Sequence, residues 1–128
     1  MGDVGNKVLC LIGLATLSVF NASVQAASSV DSGRDLFKRA CQTCHSVEKG
    51  ESHRQGPNLW GVVGRSAGSM TGFAYSSVFK SAQFKWDEKL LDQWLADPQD
   101  MLPGNVMTYA QRNPERRELI IEFLKTKR

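Results

Sequence analysis

Apolar side chains recur at helical spacing in three places along the chain, and long polar, glycine-rich stretches separate them. The first segment runs from about Ser32 to Ala40, with Leu36, Phe37 and Ala40 on one side and Asp31 or Ser32 placed to cap its start. The second covers about Glu88 to Ala96. Leu90, Leu91, Trp94 and Leu95 form its apolar side, Asp87 stands at the N-cap and Pro98 stops it. The third runs from Pro114 to about Lys125, capped by Asn113, with Leu119, Ile120, Phe123 and Leu124 as its stripe. Glu115 suits its positive end, and Lys125, Lys127 and Arg128 suit its negative end. A short helical turn is expected at Ser76 to Lys80. No strand pair or internal repeat is evident, so the pattern predicts an all-α domain.

The stretches between these segments are unusually long. Ser46 to Gly72 contains Gly50, Gly56, Gly61, Gly64, Gly68 and Gly72 together with Pro57, and Pro98 to Asn113 has little periodicity. Loops of this length are uncommon in a compact domain unless they serve a function. Three short helices also supply little core for so many ordered residues. A large apolar group at the centre, with the loops wrapped around it, would meet both difficulties.

The N-terminus has a different character. Lys7 precedes an uncharged, largely apolar run from Val8 to Phe20, and Val24-Gln25-Ala26 offers small residues for cleavage. Residues 1–26 therefore read as an export signal and residues 27–128 as the mature domain, delivered to an oxidising compartment. The apolar run is short for a spanning helix, which needs about 20 residues. Retention of this segment as an anchor is the one route by which the chain would touch a membrane. Cys10 lies inside it and reads as apolar filler.

Sixteen basic and 13 acidic side chains in 128 residues leave a net charge of +3. This mild excess is far from the dense Lys/Arg stripes of nucleic-acid binders and suits reversible contact with other proteins. Three cysteines argue against a disulfide framework. Two of them form Cys41-Gln42-Thr43-Cys44-His45, the C-x-x-C-H spacing of c-type haem attachment. One helical turn presents both thiols to the two vinyl groups along one side of a porphyrin, and His45 then points its imidazole at the iron. A redox dithiol would call for a βαβ pattern, which is absent. A zinc site would call for a second cysteine pair, and His53 with His45 gives an unfamiliar spacing. One covalently bound haem c per chain is the expected cofactor.

From about Ser32 to the C-terminus the chain resembles the class I cytochrome c family, the group of mitochondrial cytochrome c and bacterial cytochrome c2. The resemblance rests on Cys44-His45-Ser46-Val47-Glu48-Lys49-Gly50, Gly56-Pro57-Asn58-Leu59, Gly61 to Arg65, Gly72-Phe73-Ala74-Tyr75, Trp86 and Pro103-Gly104-Asn105-Val106-Met107, in family order. It implies a cytochrome c fold of short helices and long loops around the haem, with Met107 as the second axial ligand; Met70 and Met101 would be packing residues. It implies that the Pro57 carbonyl accepts the Nδ1 proton of His45, and that Arg65, Tyr75 and Trp86 hold or neutralise the haem propionates. Gly33 and Phe37 would mark the crossing of the first and last helices, and His53 would tie two loops.

The departures from that pattern are also informative. Trp94 stands where the family often has a tyrosine near the methionine sulfur, Phe79 replaces an internal asparagine and Asn105 a threonine beside the ligand loop. Most of the lysine ring at the mitochondrial haem edge is missing, with Asp35, Ala40, Ser52, Gln99 and Val106 in its place. The expected function is a monomeric, soluble periplasmic carrier of single electrons between redox protein donors and acceptors, not an enzyme. The rival readings are a dedicated cytochrome subunit of a periplasmic dehydrogenase, and a haem peroxidase or gas sensor. A methionine on the iron speaks against the last two activities.

Overall fold

A computed structural model describes residues 1–2 and 21–128. Among the described residues five helices follow one another: α1 (Asn21–Ala40), α2 (Ser77–Lys80), α3 (Glu88–Ala96), α4 (Pro98–Met101) and α5 (Pro114–Lys125). The expected apolar export run, Val8 to Phe20, lies outside the described residues, as does Cys10. Among the described residues no helix is long and apolar enough to cross a membrane.

The bounds of α3 and α5 are those the sequence predicts, because both ends carry local chemistry. Asp87 Oδ1 accepts from the Leu90 amide at 2.7 Å, and Asn113 Oδ1 from the Arg116 amide at 3.0 Å. Each satisfies an amide that the first helical turn leaves without a partner. Pro114 occupies the first turn of α5, where its missing N–H costs nothing.

Two expectations need correction. α1 begins eleven residues before Ser32, at Asn21. Asp31 and Ser32 do not cap it, and Asp31 instead pairs with Arg34 one turn on, at 2.7 Å. No Gly or Pro interrupts the Ala- and Ser-rich stretch from Asn21 to Ser32, so nothing local halts the helix there. Pro98 does end α3, but it also opens α4. Asp97 accepts from the amides of Gln99 and Asp100 at 3.0 and 3.1 Å, and Pro98 follows at the first position. The loop expected from Pro98 to Asn113 therefore starts with one helical turn.

α1 crosses α5 at Gly33. A β-carbon there would lie 2.0 Å from the Leu119 carbonyl oxygen and 2.9 Å from Phe123 Cβ, so only glycine lets the backbones approach this far. Phe37 and Phe123 pack with ring centres 5.4 Å apart, and Phe37 and Ile120 are fully buried. α3 flanks α5 from another side, where Arg117 grips Asp92 through Nε at 2.6 Å and a second nitrogen at 3.3 Å. With neighbours on two sides, the buried arc of α5 is wider than the expected stripe. Ile121 joins Ile120, Phe123 and Leu124 in the core, while Leu119 is half-buried.

The glycine-rich segment is a hydrogen-bonded structure organised by buried polar side chains. Asn58 donates to the carbonyls of Glu48 and Glu51, both at 2.9 Å, and accepts from the Trp60 amide at 2.6 Å. The Ser46 hydroxyl donates to Ser52 O at 2.7 Å. His53 accepts from the Asn58 amide at Nδ1 (3.1 Å), which leaves Nε2–H to donate to Thr71 O at 2.9 Å. His53 thus ties two loops, as expected. The C-terminus closes this region: Lys127 pairs with Glu48, lies over the Phe123 ring, and accepts from the Gly61 amide through its carbonyl. The only β-pairing among the described residues is an isolated Ser66–Lys85 bridge, extended by Trp86 N to Arg65 O at 2.9 Å.

Candidate haem site

The attachment segment is the tail of α1. The Cys41 amide bonds Phe37 O at 2.8 Å, and the amides of Cys44 and His45 both bond Cys41 O, at 3.0 and 2.9 Å. Helical winding thus persists through the segment and sets Cys41, Cys44 and His45 one turn apart. Cys41 is buried, and burial, followed by the neighbouring Cys44, pushes its thiol up to about 11. A thiol held protonated in this way is poorly suited to exchange chemistry, which proceeds through the thiolate. The Cys44 thiol donates to Gln55 Oε1 at 3.3 Å.

His45 is held on two sides. Its Nδ1 donates to the Pro57 carbonyl at 2.8 Å, the bond that the resemblance implies. That bond fixes the tautomer, leaves the Nε2 lone pair free and raises ring basicity towards a metal. Burial holds the imidazole below its usual protonation range, against the opposing pull of the Pro57 carbonyl, so the neutral form is favoured. Gly56 packs on the ring itself, where a β-carbon would lie 2.3 Å from Cε1. The glycine before Pro57 is recognisable in the sequence, but its contact with His45 is not.

Met107 is half-buried against the hydrophobic core. Its amide donates to Asn105 Oδ1 at 2.8 Å. Met70 lies elsewhere, with its sulfur 3.8 Å from the Arg65 guanidinium, and Met101 packs on the core from α4.

Arg65 and Tyr75 lie together, and Trp86 joins them through its amide on Arg65 O at 2.9 Å and through the Phe79 ring. Arg65 donates to the carbonyls of Trp60 (2.7 Å) and Asn58 (3.2 Å), and its charge sits close to the Tyr75 phenol. Burial lowers the Arg65 pKa and raises that of Tyr75. Trp86 is buried in a run of aromatic rings. It lies 4.9 Å from Phe84 and 5.6 Å from Trp94, while Phe79 lies 5.2 Å from Trp94 and 5.5 Å from Tyr75.

Ser76 is the residue the sequence reading missed. It stands at the N-cap of α2, yet its hydroxyl makes no capping bond. Its Oγ is the one buried side-chain polar atom without a partner among the described residues. A serine in the capping position normally bonds the helix amides, so a hydroxyl turned inward beside Tyr75 is an unmet donor. Its place directly after Tyr75 was the available signal.

These observations test the fit of a haem. Two thiols one turn apart suit two vinyl groups, and a neutral imidazole presents a free Nε2. A guanidinium, a phenol and an unpartnered hydroxyl suit the two carboxylates of an otherwise apolar ring, which must be paired when they leave water. The fold and site are those of a c-type haem protein.

Known proteins agree. The chain matches the family profile described as Cytochrome c over residues 30–127. It is 43% identical over 100 residues to cytochrome c of Chlamydomonas reinhardtii, covering 77% of this chain and 89% of the relative. It is 37% identical over 107 residues to cytochrome c of Gossypium barbadense, covering 81% of this chain and 96% of that one. Cytochrome c of Nigella damascena is 37% identical over 95 residues, with 73% of this chain and 86% of the relative aligned. The chain belongs to the cytochrome c family. It binds one covalently attached haem c and is an electron carrier, not an enzyme.

Proposed function

We propose that this chain is an exported, soluble carrier of single electrons between redox proteins. Cys41 and Cys44 would hold the haem by thioethers, and His45 through Nε2 and Met107 through Sδ would be the side chains that hold its iron. The observation that carries this reading is the 2.8 Å bond from His45 Nδ1 to Pro57 O, which dedicates the opposite ring nitrogen to a metal.

When bound, the haem supplies a one-electron iron couple whose potential a thioether ligand raises. The protein's residues do the rest. Pro57 and Gly56 keep the His45 ring in one orientation, and the α4–Met107 loop presents the sulfur. Arg65, Tyr75, Trp86 and Ser76 offer donors to the propionates. Phe79, Trp86 and Trp94 exclude water from one side. With His45 and Met107 both holding the iron, a substrate would find no open position, and the same two side chains would serve either oxidation state with little rearrangement of the chain.

Export rests on the N-terminal pattern alone: Lys7, the uncharged run Val8 to Phe20, and Val24-Gln25-Ala26 before Ala27. The chain is read as a periplasmic monomer, with residues 27–128 as the cytochrome domain.

The test starts from the full chain expressed with a haem c maturation system. Haem should remain with the protein in acid-acetone, and the secreted product should begin near Ala27. Met107→Ala should abolish the sulfur-to-ferric-iron charge-transfer band and lower the potential, while Met101→Ala and Met70→Ala keep the band. Haem in the organic phase, or loss of the band in a folded Met101→Ala variant, would overturn the assignment.

A further inference from the structure

The segment carrying Met107 is short and its ends are close. α4 ends at Met101, and Leu102-Pro103-Gly104-Asn105 then folds back, with the Asn105 amide on Leu102 O at 3.2 Å. Proline at the second position and Gly104 at φ +85° at the third are the marks of a type II turn. Such a turn reverses the chain but leaves the path of the residues after it free.

Asn105 supplies the missing constraint. It is only 7% exposed and spends its whole side-chain amide on backbone. Nδ2 donates to Pro98 O at 2.7 Å and to Leu102 O at 2.8 Å, at the two ends of α4, while Oδ1 accepts from the Met107 amide at 2.8 Å. Two donors meet two carbonyls and the oxygen meets an N–H, so one amide orientation satisfies all three bonds. Gln99 braces the same strip from outside, with Nε2 donating to Asn105 O (3.0 Å) and Met107 O (3.3 Å). None of these bonds reaches the aromatic wall or the propionate donors.

We propose that Asn105, supported by Gln99, is the positioning residue that sets how firmly Met107 stays on the iron. The inference rests on the reading of Met107 as axial ligand. A full departure of the sulfur, beyond a rotation of the side chain, draws the Met107 backbone away from α4. That motion breaks the Oδ1 bond first and leaves a buried amide with an unmet acceptor, a cost charged to the detached state. Threonine, which the resemblance places at this position, has one hydroxyl and cannot make these three bonds at once. Asn105 and Gln99 therefore shift the balance between bound and detached Met107 through their bonds to the backbone of this segment.

Imidazole is the probe, because it binds ferric iron only where the methionine has left. The holoprotein is titrated and loss of the charge-transfer band is followed. Global stability is measured in parallel by urea unfolding. Asn105→Ala should lower the half-displacing imidazole concentration about tenfold or more, and the exposed Gln99→Ala about threefold. Asn105→Asp keeps the acceptor for the Met107 amide but sets a carboxylate against two carbonyls, so its loss should at least equal that of alanine. Ile121→Ala, a cavity variant in α5, should lower global stability and leave the imidazole titration in place. If the Asn105 and Gln99 variants follow Ile121→Ala, losing stability with an unchanged titration, the inference is wrong. A wild-type band that survives Met107→Ala would overturn the ligand assignment itself.

Discussion

Gly56 and His45 are in contact that no other residue pair at these positions would permit. A β-carbon on Gly56 would stand 2.3 Å from Cε1, 2.7 Å from Nδ1 and 2.8 Å from Nε2 of the ring. All three lie well inside the roughly 3.5 Å of an ordinary contact. The Gly56 amide also bonds Cys44 O at 2.7 Å, so the chain before Pro57 is drawn onto the attachment turn. The glycine here is required by space. At Gly50 it is required by a backbone φ of +79°, with nothing within 4 Å of the missing side chain.

This contrast predicts different outcomes for two alanine substitutions. Gly56→Ala must displace the His45 ring or the Pro57 carbonyl, at a cost of about 2–4 kcal/mol. It should also alter the ferric spectrum. Gly50→Ala should cost about 1 kcal/mol through backbone strain and leave the spectrum unchanged. Urea unfolding with visible spectra on the same samples checks both. Equal costs and unchanged spectra would show that the contact is not felt.

Tyr75 predicts an alkaline dependence of stability. Burial raises its pKa, with the Arg65 charge as a smaller opposing influence. The unfolded phenol ionises near pH 10, before the folded one, so above that pH the unfolded state holds fewer protons. The Tyr75 contribution is therefore complete below about pH 10 and declines as pH rises towards the folded pKa. Tyr75→Phe should flatten this part of the decline. Unfolding free energies of both proteins from pH 8 to 11 decide the point, and parallel curves would refute it.

Val106 predicts the character of partner contact. It is 80% exposed and directly precedes Met107, with Gln99 and Asp100 exposed nearby in sequence. Many of the basic side chains fall on helices instead, as with Arg34, Lys38, Arg39 and Arg116. A contact centred on Val106 should give transfer rates that fall only slightly with salt. A strongly steered encounter slows steeply as the screening length shortens to about 10 Å at 0.1 M. Val106→Asp should slow transfer to the natural partner more than Arg128→Asp. Stopped-flow rates across an ionic-strength series would expose the opposite case, a steep fall with equal effects from the two substitutions.

Much of this protein was legible in its sequence where the causes are local. Asp87 and Asn113 cap from their own positions and Pro114 starts α5 from its own ring, so the bounds of α3 and α5 needed no neighbours. The thiol pair and His45 are consecutive along one helical turn, so the attachment site was also readable. α4 is not legible from Pro98, which reads locally as a stop, although the preceding Asp97 caps a new turn. The start of α1 was missed for the opposite reason, since a run without glycine or proline offers no boundary to read.

What only the tertiary structure decided are relationships between residues distant in the chain. Gly33 faces a carbonyl 86 positions away at Leu119; the family resemblance implies the crossing, but no local pattern names the carbonyl it meets. Ser76 reads only as the start of a short helical turn, and its hydroxyl is buried without a partner, because what it meets depends on what surrounds α2. Asn58 and Asn105 read as motif positions of the family resemblance, Asn105 as a departure from threonine, and prove to be buried braces, each bonding carbonyls that turn towards it only once the loops have closed. Periodicity, caps and ligand spacing act within a turn or two and so are written in order along the chain. A buried polar group finds its partners across loops, by packing, and the chain records only that a donor is there.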